Sequence, residues 1–196
     1  MNPFALLRED VHAKACWLYG TATPRNLLKA WLTDGTSAMI LYRLMQACRP
    51  RLLAPFAMIF NKFNAFFGRC IIGRGAVFGP RFVLIHSYGV VINSAVRGGS
   101  DIRLEHLVTI GADKGQAPIL GNDIFIGAGA KLIGNIRIGN HVKIGANAVV
   151  VDDIPDNATA VGIPARVVDR GTGGECSVFS IQCSDQKGNR ADETPD

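Results

Sequence analysis

A six-residue periodicity of aliphatic residues restricts the fold of this 196-residue chain more than any other feature. The clearest run has an aliphatic residue at every sixth position, often followed by Gly: Leu120, Ile126, Leu132, Ile138, Ile144 and Val150. An earlier run has the same spacing: Ile72, Phe78, Leu84 and Val90. Self-similarity at this period is typical of a hexapeptide β-helix. Three hexads then form one triangular coil with its aliphatic side chains inside, and the coils stack as in other solenoids.

Two interruptions of this repeat predict loops. Leu84 and Leu104 are 20 residues apart, which is two more than one coil, and Ile110 and Leu120 are ten apart, which is four more than one hexad. Extra residues in a solenoid are extruded on one face, often the binding face. We therefore expect an outward bulge after Leu84 and a loop formed by ADKGQAP (112–118).

The repeat is flanked by two segments of different character. Residues 1–67 are predicted to form an α-helical domain, because apolar residues such as Leu27, Leu28 and Trp31 follow a 3.6-residue period. Asp34-Gly35 is a predicted turn within it. Residues 68–168 then form the β-helix domain. Residues 169–196, rich in Gly, Ser and acids, are predicted to be a flexible C-terminal tail.

The charge and composition exclude several classes of protein. Residues 1–74 carry ten Lys and Arg against three acids, which favours an anionic partner such as CoA phosphates or lipid headgroups, or a solvated helical surface. No nucleic-acid reader motif is present, so no nucleic-acid partner is expected. Five Cys without a CxxC pair give no indication of a metal site, and they favour a reducing, cytoplasmic location.

One apolar stretch raises the question of a membrane. Residues 52–67 are apolar but interrupted by Pro and polar residues, so the stretch is too short and too polar to span a bilayer. It is expected to pack as a buried amphipathic helix or to lie on a membrane surface, which leaves peripheral membrane contact open.

Four stretches resemble the hexapeptide-repeat acyltransferases, and most closely the serine acetyltransferases and their exopolysaccharide-locus relatives. They are LIHSYGVVI (84–92), HLVTIG (106–111), IFIGAGAKLIGNIRIGNHVKIGANAVV (124–150) and VGIPARVV (161–168). The fold class implied is mainly β, a left-handed parallel β-helix of hexapeptide repeats preceded by an N-terminal α-helical domain. The resemblance also implies acetyl-CoA as the acyl donor, an acceptor with a hydroxyl, and a homotrimer or a multiple of it.

The resemblance assigns roles to six residues. His86 is the implied catalytic base, which suits an imidazole that titrates near neutral pH. His106 follows Leu104 as His86 follows Leu84, so it is expected about 4.8 Å away, one coil above, where it contacts the acceptor, orients His86 or is merely solvated. The implied CoA-binding residues are Gly111, Ala112, Ala128 and Lys143.

The chain also departs from the serine acetyltransferase pattern. The carboxylate expected about fifteen residues before the catalytic His is replaced by Cys70 or Ile71, and Ile85 replaces the Asp directly before it. Gln116-Ala117 stands where Arg-His is expected before a Pro. Candidates to replace the missing carboxylate are Glu105 and Asp101, or a backbone carbonyl that fixes the tautomer of His86.

Three functions remain open after these departures. One is O-acetylation of free L-serine, and the second is O-acetylation of a sugar or exopolysaccharide precursor, which needs no charged partners for an ammonium and a carboxylate. The third is a β-helix scaffold without catalytic activity.

Overall fold

In a computed structural model, the structure describes residues 2–48 and 51–168; the predicted tail 169–196 lies outside the described residues. The N-terminal part is helical, with α1 (Pro3–Tyr19), α2 (Pro24–Leu32), α3 (Thr36–Ala47), a 3-10 turn (Arg51–Leu53) and α4 (Ala54–Phe66). The side chains of Asn2 and Thr23 cap α1 and α2 by accepting hydrogen bonds from Phe4 N and Asn26 N. A Pro in the first turn of each helix fits the same boundary.

The rest of the described chain is a stack of short strands. They are β1 (Ile71–Ile72), β2 (Val77–Phe78), β3 (Val83–Leu84), β4 (Val91–Ile92), β5 (Arg97–Gly98), β6 (Ile102–Leu104), β7 (Thr109–Gly111), β8 (Ile119–Leu120), β9 (Ile124–Ile126), β10 (Lys131–Ile133), β11 (Arg137–Ile138), β12 (Lys143–Ile144), β13 (Val149–Val150), β14 (Thr159–Gly162) and β15 (Ala165–Val168). Sheet A has the order β1-β4-β7-β10-β13, and sheet B has β2-β5-β8-β11. Sheet C has β3-β6-β9-β12-β14, with β15 antiparallel to β14. This arrangement confirms the predicted fold class.

The register of the strands confirms the hexad pattern with one correction. Ile72 pairs with Ile92 in sheet A, not with Val90, so the hexad assignment of Val90 was wrong. The two extra residues of that coil therefore lie between β3 and β4, in the segment that contains His86. Leu84 and Leu104 are partners in sheet C, as expected from their spacing.

The second interruption forms the predicted loop. Between β7 and β8 the chain leaves the coil and returns through a tight turn, in which the backbones of Asp113 and Gln116 exchange two hydrogen bonds of 2.9 Å. Lys114 and Gly115 occupy the turn with positive φ angles of 47° and 81°. Two successive residues with positive φ are typical of a type I′ hairpin turn.

The helices cover the open edge of the first coil. β1, β2 and β3 are outermost in their sheets, so one side of their backbone has no neighbouring strand. Tyr42 Oη accepts a hydrogen bond from Phe78 N (3.1 Å) and donates one to Ala76 O (3.2 Å). Arg43 donates to Phe78 O (3.0 Å), and Asn61 to Ile72 O (3.3 Å). Polar side chains of α3 and α4 thus replace the missing strand.

A buried ion pair links the helices to the same coil. Arg43 Nε donates to Asp10 Oδ2 at 2.7 Å, and both side chains are almost completely buried. Asp10 Oδ1 accepts a further hydrogen bond from Phe82 N at 2.9 Å. α1 also lies against sheet C, where Trp17 stacks on Phe125 with ring centroids 5.7 Å apart. These contacts bring the turn between α2 and α3 beside the loop that follows β3.

No helix within the described ranges combines the length and the apolar character needed to cross a membrane.

Candidate active site

His86 lies on the loop between β3 and β4, where the repeat has its two extra residues. Its side chain is 55% exposed, and Nδ1 lies 3.3 Å from Oδ2 of Asp34. Ser87, the next residue, is buried and donates its hydroxyl to Asp34 Oδ1 at 3.2 Å. An exposed imidazole is therefore paired with a carboxylate on one side and open to solvent on the other.

The carboxylate beside His86 comes from an unexpected part of the chain. Asp34 lies in the turn between α2 and α3, 52 residues before His86. The expected substitutes do not take this position: Asp101 pairs with Arg81, and Glu105 Oε2 lies 3.6 Å from His106 Nδ1. The expectation that Glu105, Asp101 or a backbone carbonyl would orient His86 was therefore wrong. In the sequence, Asp34 was recognisable only as part of a turn.

The backbone around Asp34 is fixed by close packing. Gly35 has φ +80°, and a Cβ there would lie 2.5 Å from the carbonyl oxygen of Leu84. Only Gly allows this approach at a positive φ. Lys14, fully buried on α1, donates a hydrogen bond from Nζ to the carbonyl oxygen of Asp34. The turn is thus clamped between α1 and the end of β3.

Two pKa shifts describe the electrostatics of this clamp. Burial lowers the pKa of Lys14 to about 8, against the attraction of the Asp34 carboxylate, which raises it. For Asp34, partial burial raises the pKa, but hydrogen bonds from Gly35 N, Ser87 and His86 outweigh it and hold the pKa below its usual value. Asp34 is consequently ionised at neutral pH.

An ionised Asp34 fixes the chemistry available to His86. A carboxylate can only accept hydrogen bonds, so the contact assigns the proton of the neutral imidazole to Nδ1. Nε2 then carries the lone pair and can accept a proton from a substrate hydroxyl. The same carboxylate stabilises the imidazolium that forms after proton transfer, as in other carboxylate–histidine pairs.

His106 lies one coil above His86, where its spacing placed it. The two ring centroids are 6.1 Å apart, with the rings nearly perpendicular. Since Leu84 and Leu104 are register partners, the two histidines occupy the same corner of successive coils. His106 is partly exposed and faces the same open side of the corner.

Backbone hydrogen bonds continue this corner through four coils, and we call it the histidine corner. Leu107 N donates to Tyr88 O (2.8 Å), Gly129 N to His106 O (2.9 Å), and Asn147 N to Ala128 O (2.8 Å). Ala128 therefore stands about 10 Å along the corner from His86, at two strand spacings. Its small side chain leaves the surface of the corner open.

The other predicted CoA-binding residues are spread over neighbouring positions. Gly111 is the last residue of β7, the middle strand of sheet A, where it pairs with Ile133, and Ala112 follows it at the start of the extruded loop. Lys143 begins β12 in sheet C, beside Phe125. Within one chain, Gly111 and Ala112 thus lie at a different corner from Ala128. The four residues are not brought together by a single subunit.

Among the described residues, no group of three or more His, Cys, Asp or Glu is placed to hold a metal ion.

Comparison with known proteins gives the family. Residues 117–152 match the bacterial transferase hexapeptide family (six repeats). The serine acetyltransferase of Helicobacter pylori is 39% identical over 141 residues, covering 70% of this chain and 82% of that protein. The serine acetyltransferase of Bacillus subtilis is 34% identical over 170 residues, covering 84% and 77% respectively.

Solved structures extend the similarity to the helical part. A serine acetyltransferase of Neisseria gonorrhoeae in complex with serine matches with a TM-score of 0.75 and 30% identity, covering 84% of this chain and 68% of that one. A serine acetyltransferase in complex with CoA matches with a TM-score of 0.75 and 26% identity, covering 85% and 70%. The hexapeptide repeat, the corner that carries His86 and the similarity to these relatives all indicate the same family. The chain belongs to the serine acetyltransferase family of hexapeptide-repeat acyltransferases.

Proposed function

We propose that this chain transfers the acetyl group of acetyl-CoA to the hydroxyl of L-serine, with His86 as the general base. The observation that carries the proposal is the contact of His86 Nδ1 with Asp34, which leaves Nε2 on the open side of the histidine corner. We also propose that the reaction takes place in the cytoplasm. It needs no metal, since the proposed base is an imidazole.

The proposed reaction needs only one base and one set of hydrogen-bond donors. Nε2 of His86 removes the hydroxyl proton as the oxygen attacks the thioester carbonyl, and backbone N–H groups of the corner stabilise the oxyanion. When the tetrahedral intermediate collapses, the C–S bond breaks and the imidazolium returns its proton to the departing CoA thiolate. The products are the O-acetyl ester and CoA. Asp34 holds the neutral imidazole in the required tautomer before proton transfer and stabilises the imidazolium after it.

The donor site is proposed to lie along the histidine corner. Ala128 leaves room for the pantetheine arm to pass close to the backbone, with the thioester pointing toward His86. His106 lies between these two positions and is proposed to contact the acyl group or the acceptor. Lys143, exposed one coil further along, is suitably charged for a CoA phosphate.

Gly111 and Ala112 are proposed to complete the site from a neighbouring copy in a homotrimer. They lie at a different corner of the same coils, so one chain alone does not present all four residues to one CoA molecule. Around the histidine corner and the adjoining sheet A, four apolar side chains are solvent-exposed in the single chain: Ile71, Tyr88, Val91 and Leu107. Exposed apolar patches of this kind mark contact surfaces.

The choice of acceptor rests on the relatives, which include a serine acetyltransferase solved with serine. Ile85 and Gln116 favour the alternative of a sugar acceptor, because they stand where the resemblance expects charged residues. Ile85 is buried beside His86, so this position offers no charge to an amino acid. A neutral sugar hydroxyl would need none.

Release of CoA from acetyl-CoA tests the proposal. We expect turnover with millimolar L-serine, weak or no turnover with glycosyl acceptors, and a loss of about 10²- to 10⁴-fold in kcat for His86→Ala. His141→Ala is the matched control, because His141 is also exposed and also paired with an Asp, Asp123 at 2.9 Å. Turnover of sugars but not of serine would make a sugar the acceptor. Unchanged CoA release in His86→Ala would remove His86 as the base, and no turnover with any acceptor would leave the scaffold function.

A further inference from the structure

The outward face of α4 carries large apolar side chains that nothing in the described chain covers. Phe56, Ile59, Phe63 and Phe66 are spaced by three or four residues, so they lie on one side of the helix. Phe66 is 77% exposed, and Leu52, in the 3-10 turn before the helix, is 90% exposed. The sequence alone left open whether this stretch is buried. In the structure, only the side of α4 that faces the β-helix is buried.

The inward side of α4 is committed to the β-helix. Asn61 donates to Ile72 O, Asn64 lies within 3.2 Å of the Cys70 thiol, and Ala57 is fully buried. α4 cannot turn its apolar face inward without losing these contacts with the first coil. The apolar face therefore points away from the end of the β-helix, and we call it the end face.

The end face is bordered by positive charge. From residue 35 to residue 100 the sequence contains no Asp or Glu. Lys62 on α4, Arg69 just after α4 and Arg74 between β1 and β2 are exposed, and no ion pair among the described residues involves them. Arg69 instead lies over the ring of Tyr88, 5.8 Å from its centroid. The border thus offers cationic side chains beside the exposed apolar residues of α4.

An apolar face with a positively charged border favours one kind of binding partner. A second copy meeting the first through the same face would bring no carboxylate to Lys62, Arg69 and Arg74, because residues 35–100 contain no Asp or Glu. A lipid surface with anionic headgroups would accept Phe, Ile and Leu side chains at the acyl boundary and pair with the cations at the headgroup level. We propose that the end face docks the enzyme on an anionic lipid surface, with α4 lying in the plane of the interface.

The docked orientation keeps the histidine corner close to the lipid. Gly89 N, in the loop that carries His86, donates a 2.9 Å hydrogen bond to the carbonyl of Arg69. α4 and the catalytic loop are thus joined by three residues and one hydrogen bond at the same end of the β-helix. This inference does not depend on the proposed acceptor.

Vesicle sedimentation of the full chain tests the proposal. We expect binding to phosphatidylcholine vesicles that contain about a third phosphatidylglycerol, weak binding to pure phosphatidylcholine, and release in high salt. The double variant Phe63→Ser/Phe66→Ser should reduce partitioning at least tenfold, and Lys62→Glu severalfold. Val167→Ser is the matched control, since Val167 is as exposed as Phe63 but lies on the last strand, at the opposite end of the β-helix. It should change partitioning less than twofold.

Two results would overturn the proposal. One is a full chain that binds neither kind of vesicle. If the double variant then also forms a smaller oligomer in analytical ultracentrifugation, a second copy covers the end face. The other is vesicle binding that the double variant retains in full. Circular dichroism and CoA release of each variant check that folding and the active site are unaffected.

Discussion

The first coil of the β-helix and the coils near its other end are held by different kinds of contact. Around the first coil, Arg43, Asp10, Tyr42 and Gln46 form a buried polar network contributed by α1 and α3. In the later coils an exposed ladder repeats from turn to turn: Asn122 Oδ1 accepts from Ser100 N, and Asn140 Oδ1 accepts from Asn122 N, each at 2.9 Å. A buried network concentrates stability in a few residues, whereas a repeated ladder distributes it.

The largest effect on stability is expected at the buried network. Arg43→Met removes the counter-charge of the buried Asp10 carboxylate, which keeps only its hydrogen bond from Phe82 N, and it removes the Arg43 donor to Phe78 O. We expect a loss of about 3–5 kcal/mol in the free energy of unfolding, measured by urea denaturation. Arg166→Met breaks an exposed pair with Asp152 and should change it by less than about 1 kcal/mol. Similar losses in the two variants would remove the distinction between the regions.

A pH-dependent effect is expected at Lys14, which clamps Asp34. Its pKa is about 8 in the folded chain and near its ordinary value of 10.5 in the unfolded chain. Between these values the unfolded chain binds more protons, so the stability of the native enzyme rises with pH. Relative to Lys14→Met, the gain should approach about 3 kcal/mol by pH 10.5 and be absent below pH 8. A stability difference that does not change across this window would contradict the burial of a charged ammonium.

Asp34 tests whether the helical segment contributes to catalysis. Asp34→Asn keeps the shape of the side chain but removes the anionic acceptor for His86 Nδ1, so kcat should fall roughly 10- to 100-fold, or about 1.4–2.7 kcal/mol in activation free energy. The KM for acetyl-CoA and the circular dichroism spectrum should stay unchanged. Glu105→Gln, which alters the acid beside His106, serves as the comparison. If Glu105→Gln lost as much kcat as Asp34→Asn, the orienting role could not be assigned to Asp34 in particular.

The smallest effect is expected in the ladder. Asn140→Ala removes the acceptor for Asn122 N and the side-chain donor to Asp156, all at an exposed corner. Because water can replace these partners, we expect a loss of about 0.5–1.5 kcal/mol with unchanged kcat. A loss as large as that of Arg43→Met would show that the ladder stabilises the fold cooperatively.

The sequence predicted the repeated part well because each coil obeys the same local rule. The aliphatic spacing located the inward residues, and the surplus residues located both loops. Val90 was misplaced because it continues a six-residue count across an insertion that shifts the register by two. The position of His106 over His86 followed from the same counting, once the surplus was assigned to the loop between β3 and β4.

The carboxylate beside His86, Asp34, could not be predicted from residue spacing. Asp34 meets His86 across 52 residues, through the packing of α1 on sheet C and the close approach of Gly35 to Leu84. No spacing rule links a helix–helix turn to a particular corner of a solenoid.

The clamp on Asp34 has a consequence for how the enzyme loses activity. The proposed base, His86, belongs to the solenoid and its carboxylate partner, Asp34, to the helical segment, so full activity is expected only while the two are docked. Local opening of α1 and α2, by heat or by cleavage in the turn before α3, would separate the pair while the aliphatic stack stays intact. Acetyl transfer thus reports on the docking of the helices, and its loss on heating should precede the melting of the coils.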